Sequence, residues 1–373
     1  MASGISRRTF VKGAAMMAAA GTSIRSKIVF AQSNPPRFDI DQVSKVMFAD
    51  VDPGASGRGW QSIAGDGVNN RIFYAHPPTS DDSDIRIGFY TPAGHKSPDY
   101  MEFTNFGHGQ VIGIENAGSD TYIWMETQPE PPTFPHNGHR ICRVKWNPNT
   151  PGPFTFSDLG TSALPGSEVH QLKPSSHANS CTIDPTNNRL LLRFYWPGDL
   201  PSGQRAEDKG HSKGWFYTIY ESVDAVRTYG NDAPTVADFI PEHALLADVE
   251  GGPFQGITLY GEYAYIITGT QWHNGSANSC ERVGDDPGNI YLTCFSISKV
   301  GNHYPFYSSH IASEYSYNFR EPEGISVYVP PTGSPRLAFT ICKVHDCTNS
   351  TGIGLPRRET VLYKDLLVTT PLP

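Results

Sequence analysis

No run of apolar residues approaches the roughly 20 needed for a membrane helix, so no segment reads as a transmembrane span. Charge is scarce as well. Asp, Glu, Lys and Arg make up 18% of the 373 residues, and a net charge of −8 leaves no excess of basic residues to drive general nucleic-acid binding. The chain has no Cys-x-x-Cys pair, no Cys/His zinc spacing and no Gly-x-Ser-x-Gly elbow, which argues against common zinc folds and α/β-type serine hydrolases. Long uninterrupted helical stretches are missing too, because 36 Gly and 31 Pro punctuate the chain and exclude a bundle or coiled coil. What is abundant is aromatic: 19 Phe and 18 Tyr favour strands and suit stacking on sugar rings.

The N-terminus carries an export signature. Ser6-Arg7-Arg8-Thr9-Phe10-Val11-Lys12 precedes a mild Ala/Met-rich stretch from Gly13 to Gly21, the pattern of a twin-arginine signal. Arg25 and Lys27 follow that stretch, where basic residues disfavour the ordinary secretory route. Val29-Phe30-Ala31 offers small residues for cleavage, so residues 1–31 are read as a leader and 32–373 as the folded domain, secreted or periplasmic. In an oxidising compartment the six cysteines allow up to three disulfides. Cys342/Cys347 and Cys280/Cys294 are the expected local pairs, with buried free thiols as the alternative. Asn274-Gly275-Ser276 and Asn349-Ser350-Thr351 fit a glycosylation sequon that matters only in a eukaryotic route.

Strand-like runs recur along the mature chain. They are Arg71–His76, Ile85–Tyr90, Val111–Glu115, Tyr122–Glu126, Arg140–Trp146, Arg189–Trp196, Trp215–Glu221, Gly256–Leu259, Tyr263–Gly269, Asn289–Ser296, Gly324–Val329, Arg336–Cys342 and Thr360–Leu367. Many alternate apolar and polar residues, as half-buried antiparallel strands do. Gly, Pro, Asn and Asp fill the turns, and only Ser222–Tyr229 reads as a short helix. A weak repeat sets Trp60–Tyr74 beside Asn179–Leu192 and Phe254–Ile266, each a strand, a tight Gly/Asp/Asn turn and a second strand. That is the inner hairpin of a propeller blade. At about 40–50 residues per blade, the chain would fill roughly seven. The expectation is an all-β, single-domain, seven-bladed β-propeller.

Three segments occur in order: Phe106-Gly107-His108-Gly109-Gln110-Val111-Ile112-Gly113-Ile114-Glu115, then Phe254-Gln255-Gly256 with Gly261-Glu262-Tyr263-Ala264-Tyr265, then Arg320-Glu321-Pro322-Glu323-Gly324. Together they resemble the propeller domain shared by phage receptor-binding proteins and teichoic-acid-biosynthesis-type proteins. They are also similar to secreted lyases that cleave rhamnosyl-α-1,4-glucuronate ends of plant gums and arabinogalactans. The resemblance runs from about Trp60 to Tyr363, and Arg-Glu-Pro-Glu-Gly is its most specific string. It implies a seven-bladed propeller with a carbohydrate-facing central pocket, and catalysis in at least one branch.

In a propeller the innermost strand of each blade begins near one mouth of the channel. Gln61, His108, Asn179, Gln255 and Arg320 all lie at or just before such a start. Cleaving a uronate by β-elimination needs a base for the C5 proton, a partner for the carboxylate and an acid for the leaving oxygen. His108, flanked by glycines, is the expected catalytic acid or base. Arg320 and Arg193 are the expected carboxylate clamps, because a guanidinium forks onto a carboxylate; for both, a structural ion pair is the alternative. Gln61, Asn179, Gln255 and His177 complete the expected substrate contacts. Glu321 and Glu323 are weak candidates for one structural Ca²⁺ on the axis, with no recognisable calcium loop to support them. His136, His139, His170 and His211 read as solvated or turn residues, and Gln204–Gly214 as a rim insertion that touches acidic glycan. The expected partner is an acidic plant polysaccharide of the gum arabic or arabinogalactan type, met by a monomer that requires no cofactor, nucleic acid or membrane. A non-catalytic glycan-binding propeller and a hydrolase of the same linkage are the rival readings.

Overall fold

In the computed structural model the described residues are 35–373, apart from 54–58, 80–82, 131–133, 174–175, 198–213, 243–244, 246–252, 270–289, 302, 314–318 and 345–356. The leader, both sequons, His211, nearly all of the rim insertion, Cys280 and Cys347 therefore lie outside them. Two strands open the fold, β1 (Arg37–Phe38) and β2 (Lys45–Val51). Blade 1 is β3 (Ser62–Asp66), β4 (Arg71–His76), β5 (Ile85–Tyr90) and β6 (Lys96–Phe103). Blade 2 is β7 (Gly113–Ala117), β8 (Asp120–Glu130), β9 (Phe134–Lys145) and β10 (Glu168–His170). Blade 3 is β11 (His177–Ile183), β12 (Leu190–Trp196), β13 (Gly214–Tyr220) and β14 (Thr235–Pro241), with helix α1 (Val223–Tyr229) between the last two. Blade 4 is β15 (Phe254–Tyr260), β16 (Tyr263–Gly269), β17 (Ile290–Ser296) and β18 (Phe306–His310). Blade 5 is β19 (Phe319–Tyr328), β20 (Arg336–Val344) and β21 (Arg357–Lys364), completed on its outer edge by β2. A last strand, β22 (Leu367–Val368), pairs antiparallel with β1.

The propeller therefore has five blades, not seven. The expected blade length was too short. Connections such as 146–167 between β9 and β10, 197–213 between β12 and β13, and 270–289 between β16 and β17 lengthen each repeat. All thirteen strand-like runs of the sequence fall on the three inner strands of a blade. None is an outermost strand, because β2, β6, β10, β14 and β18 are only partly buried and carry no sustained alternation. The short helix is present. Ser222 caps it by accepting the Ala225 N–H at 3.0 Å.

Five apolar clusters hold the ring, one between each pair of adjacent blades. Between blades 5 and 1, for example, Trp60 stacks on Tyr74 at 4.8 Å and Phe48 on Tyr90 at 5.5 Å. Near the axis the inner strands approach so closely that side chains are excluded. A Cβ at Gly324, which sits at φ +126°, would lie 2.7 Å from the Cα of Ser62 in the next blade. The repeated turn has a mechanical role as well. Asp66 accepts from Asn69 and Arg71 and reaches Asn116 of blade 2, while Asp184 accepts from Asn187 and the N–H of Gly261 in blade 4. These two copies thus latch one inner hairpin to the next blade.

Cys142, Cys181, Cys294 and Cys342 are buried free thiols. Neither expected local disulfide is formed: Cys294 and Cys342 are free and fully buried on interior strands. Among the described residues no helix is long and apolar enough to cross a membrane.

Candidate functional site at the channel mouth

The starts of the inner strands gather at one mouth of the channel. Three of these strands depart from regular pairing there, between His177 and Ser180, between Phe254 and Gly256, and between Pro322 and Ile325. Such bulges re-aim side chains and are over-represented next to active sites. Blade 2 differs: residues 108–112 continue the line of β7 toward the mouth outside any ladder.

Side chains knit the blades together at this level. Ser62 Oγ of blade 1 donates to the Gly109 carbonyl at 2.6 Å. Gln110 Nε2 donates to the Phe254 carbonyl at 2.8 Å, from the segment leading into blade 2 to blade 4. Those blades are not neighbours in the ring, so this side chain reaches across the channel. Gln255 Nε2 reaches Gly269 O at 3.2 Å and, more weakly, Glu321 Oε1 of blade 5 at 3.4 Å. Gln61, His108, Gln110, His177, Gln255 and Glu321 are all half-buried at this mouth.

His108 is presented by a backbone that favours glycine, with Gly107 at φ +104° and Gly109 at φ +72°. The loop wraps around a residue the sequence reading left unremarked, Glu126 of β8, which is 0% exposed. Burial raises the Glu126 carboxyl to about 7, against the downward pull of the N–H groups of Gly138, Gly109, Gln110 and His108. The available signal was a lone acidic residue ending the apolar run Ile123-Trp124-Met125, together with a Gly-His-Gly segment earlier in the chain whose N–H groups needed an acceptor.

The other expected residues divide. Asn179 is buried, and its side chain is taken up by Ser176 Oγ at 2.9 Å and by the His139 carbonyl at 2.6 Å. Arg193 is buried too. Its guanidinium forks onto Glu242 at 2.6 and 2.9 Å and lies 3.6 Å from the ring centroids of both Trp215 and Phe254. Arg320 is 1% exposed and donates to the carbonyls of Ile311 and Ser313 at 2.9 and 2.7 Å. Both expected clamps are therefore engaged by the protein itself, and Glu321 rather than Arg320 faces Gln255.

Blade 5 adds a carboxylate group beneath the mouth. Glu323 and Glu359 are buried and flank Gly59, where a Cβ would come within 2.8 Å of Glu323 Oε1 and 3.2 Å of Glu359 Oε1. Burial raises Glu321, Glu323 and Glu359, the last to about 8, and Arg357 offsets only part of this. Among the described residues no group of three or more His, Cys, Asp or Glu is arranged to hold a metal ion, the pair Glu321 and Glu323 included.

The Glu359 shift has a consequence for stability. The folded protein retains a proton there that the unfolded chain releases near 4.5, so the contribution is full below that pH and is lost as pH rises through 8. Glu359→Gln keeps an acceptor for the Trp60 N–H, which Glu359 Oε1 accepts at 3.0 Å. It should therefore reduce the fall in stability between pH 5 and 8.5 by roughly 1–3 kcal/mol. Urea midpoints at the two pH values measure this; identical pH dependence in both proteins would contradict it.

No family model matches the chain. It is 26% identical over 251 residues, 65% of its length, to "Putative major teichoic acid biosynthesis protein C" of Bacillus subtilis (strain 168), and spans 46% of that protein. The chain thus covers about half the length of the curated relative it matches. Among solved structures, the tail fiber of Staphylococcus aureus phage P68 shares the fold. The TM-score is 0.58 at 18% identity, over 88% of this chain and 54% of the fiber. An α-L-arabinofuranosidase from Lactobacillus brevis aligns more loosely, at TM-score 0.44 and 9% identity over 82% of this chain and 90% of the enzyme.

Proposed function

We propose that this chain is an exported carbohydrate-active propeller that cleaves a rhamnosyl-α-1,4-glucuronate linkage, or a related uronate glycan, by β-elimination. The observation that carries this reading is the display of half-buried His108 on a glycine-flanked loop at the channel mouth. His108 takes the C5 proton of the glucuronate, the electron pair passes through the carboxylate-stabilised enolate, and C4=C5 forms as the C4–O4 bond breaks. The rhamnose leaves with the oxygen and takes a proton. Gln61, Gln255 and His177 line the same mouth and supply neutral or switchable hydrogen bonds to the sugar. The relative's association with teichoic acid biosynthesis supports a glycan as the ligand. The acidic partner would be a plant gum or arabinogalactan, approached by a monomer that needs no added cofactor.

A hydrolytic reading draws on a separate observation. Glu321 sits half-buried at the mouth with its carboxyl raised by burial, the property of a general acid, while Arg193 and Arg320 are occupied elsewhere. One assay separates the readings. Incubation with gum arabic should raise the ultraviolet absorbance of an unsaturated uronate. Reducing sugar without that absorbance would replace elimination by hydrolysis, and retained binding with neither signal would leave a lectin-like role.

A further inference from the structure

The carboxylate of Glu126 joins two segments that the sequence keeps apart. Its Oε1 accepts the Gly109 N–H at 2.7 Å, from the loop that bears His108, and its Oε2 accepts the Gly138 N–H at 2.7 Å, from the strand that bears His139. Gly107 and Gly138 leave room for this contact. A Cβ on Gly107 would lie 2.7 Å from the Glu126 carboxyl carbon, and one on Gly138 would lie 2.6 Å from the Glu126 Cβ. Gly109 is held from both sides, since its carbonyl also accepts from Ser62 Oγ. On the far side, the His139 carbonyl accepts from Asn179, and the His139 ring lies 6.0 Å from that of His177.

We propose that Glu126 is a positioning residue that fastens the His108 loop to the His139 strand, so that His108, His139 and His177 form one fixed row along the mouth of blades 2 and 3. The row gives the site a second proton carrier. His108 serves one side of the sugar, and the His139/His177 pair is placed to return a proton to the leaving oxygen. Without a carboxylate the row loosens, because a carboxylate offers acceptors on both oxygens, whereas an amide turns an NH₂ group against one of the two N–H donors. The assignment of proton carriers rests on the elimination reading; the positioning role does not.

The test is Glu126→Gln in the full chain, with two readouts. Turnover on gum arabic should fall about ten- to hundredfold in kcat with KM within about twofold, since misplacement of a reacting group acts on the chemical step. In protein labelled with ¹⁵N-histidine, the imidazole resonances of His108, His139 and His177 should move together, while those of His95 and His303 stay in place. Should Glu126→Gln fail to fold, Glu126→Asp supplies the same readout, because it keeps the carboxylate but shortens its reach to the two N–H groups. A folded variant with all three resonances unmoved and kcat within twofold of the parent overturns the proposal. If the parent makes no unsaturated product, elimination falls, and moved resonances still establish the positioning role.

Discussion

Replacement of His108 by Phe is expected to lower turnover of a uronate glycan by about a hundred- to ten-thousandfold, the usual contribution of a positioned acid or base. The thermal midpoint should barely move. His108 is half-buried on a connection outside any strand, and the loop is anchored by backbone groups of its neighbours, the Gly109 N–H and carbonyl. Phe lacks an ionisable nitrogen yet fills a similar volume, so the loss would report proton transfer rather than collapse. Initial rates of double-bond formation, with a calorimetric scan of the same sample, measure both parts. Substantial turnover in the folded variant would remove His108 from the mechanism and direct attention to His177 and the mouth carboxyl Glu321.

Glu242→Ala is the second large effect, on stability rather than rate. The buried Arg193 guanidinium is paired with Glu242, which also accepts a hydrogen bond from Tyr217 Oη. Burial raises the Tyr217 hydroxyl well above its ordinary range, with the Glu242 charge adding to it. Deleting the carboxylate leaves a charge between two aromatic rings with no counterion, and such breaks cost about 3–5 kcal/mol. The double variant Arg193→Met, Glu242→Leu removes both charges and should recover most of that loss, since an apolar pair often substitutes without penalty. Denaturant midpoints for the single and double variants check this. Equal destabilisation in both would mean that cavity formation, not the orphaned charge, sets the cost.

The architecture was legible where burial imposes a pattern. Strands such as β4, β5 and β16 carry a burial on both faces that reads as dense apolar sequence, and Asp66…Asn70-Arg71 with Asp184…Asn188-Arg189 betrayed the repeated hairpin. Blade number was not legible. It depends on outer strands such as β10, whose three residues are only half-buried, and on how much of each repeat is spent on connections. At the site, the Gly-His-Gly segment could be seen because glycine marks a special backbone. The engagement of Arg193 and Arg320 could not be seen, since Glu242 lies 49 residues from Arg193 and the acceptors of Arg320 are main-chain carbonyls. Sequence names the donors and acceptors; only the fold decides which of them are already spent on each other.

The outer strand of blade 5 comes from the opposite end of the chain. β2 pairs with β21, and β1 with β22, so residues near position 45 wait for partners about 300 residues later. Blades 1 to 4 each assemble from consecutive sequence and can form in the order of synthesis. Blade 5 cannot. Until the last strand emerges, β2 has no ladder and the ring stands open between blades 5 and 1, with the Trp60 and Tyr74 face uncovered. The slow step of folding is therefore expected to be a single late loop closure, whose entropic cost grows only slowly with that separation. Ribosome-bound chains lacking residues beyond 356 would behave as a strip of blades rather than as a propeller.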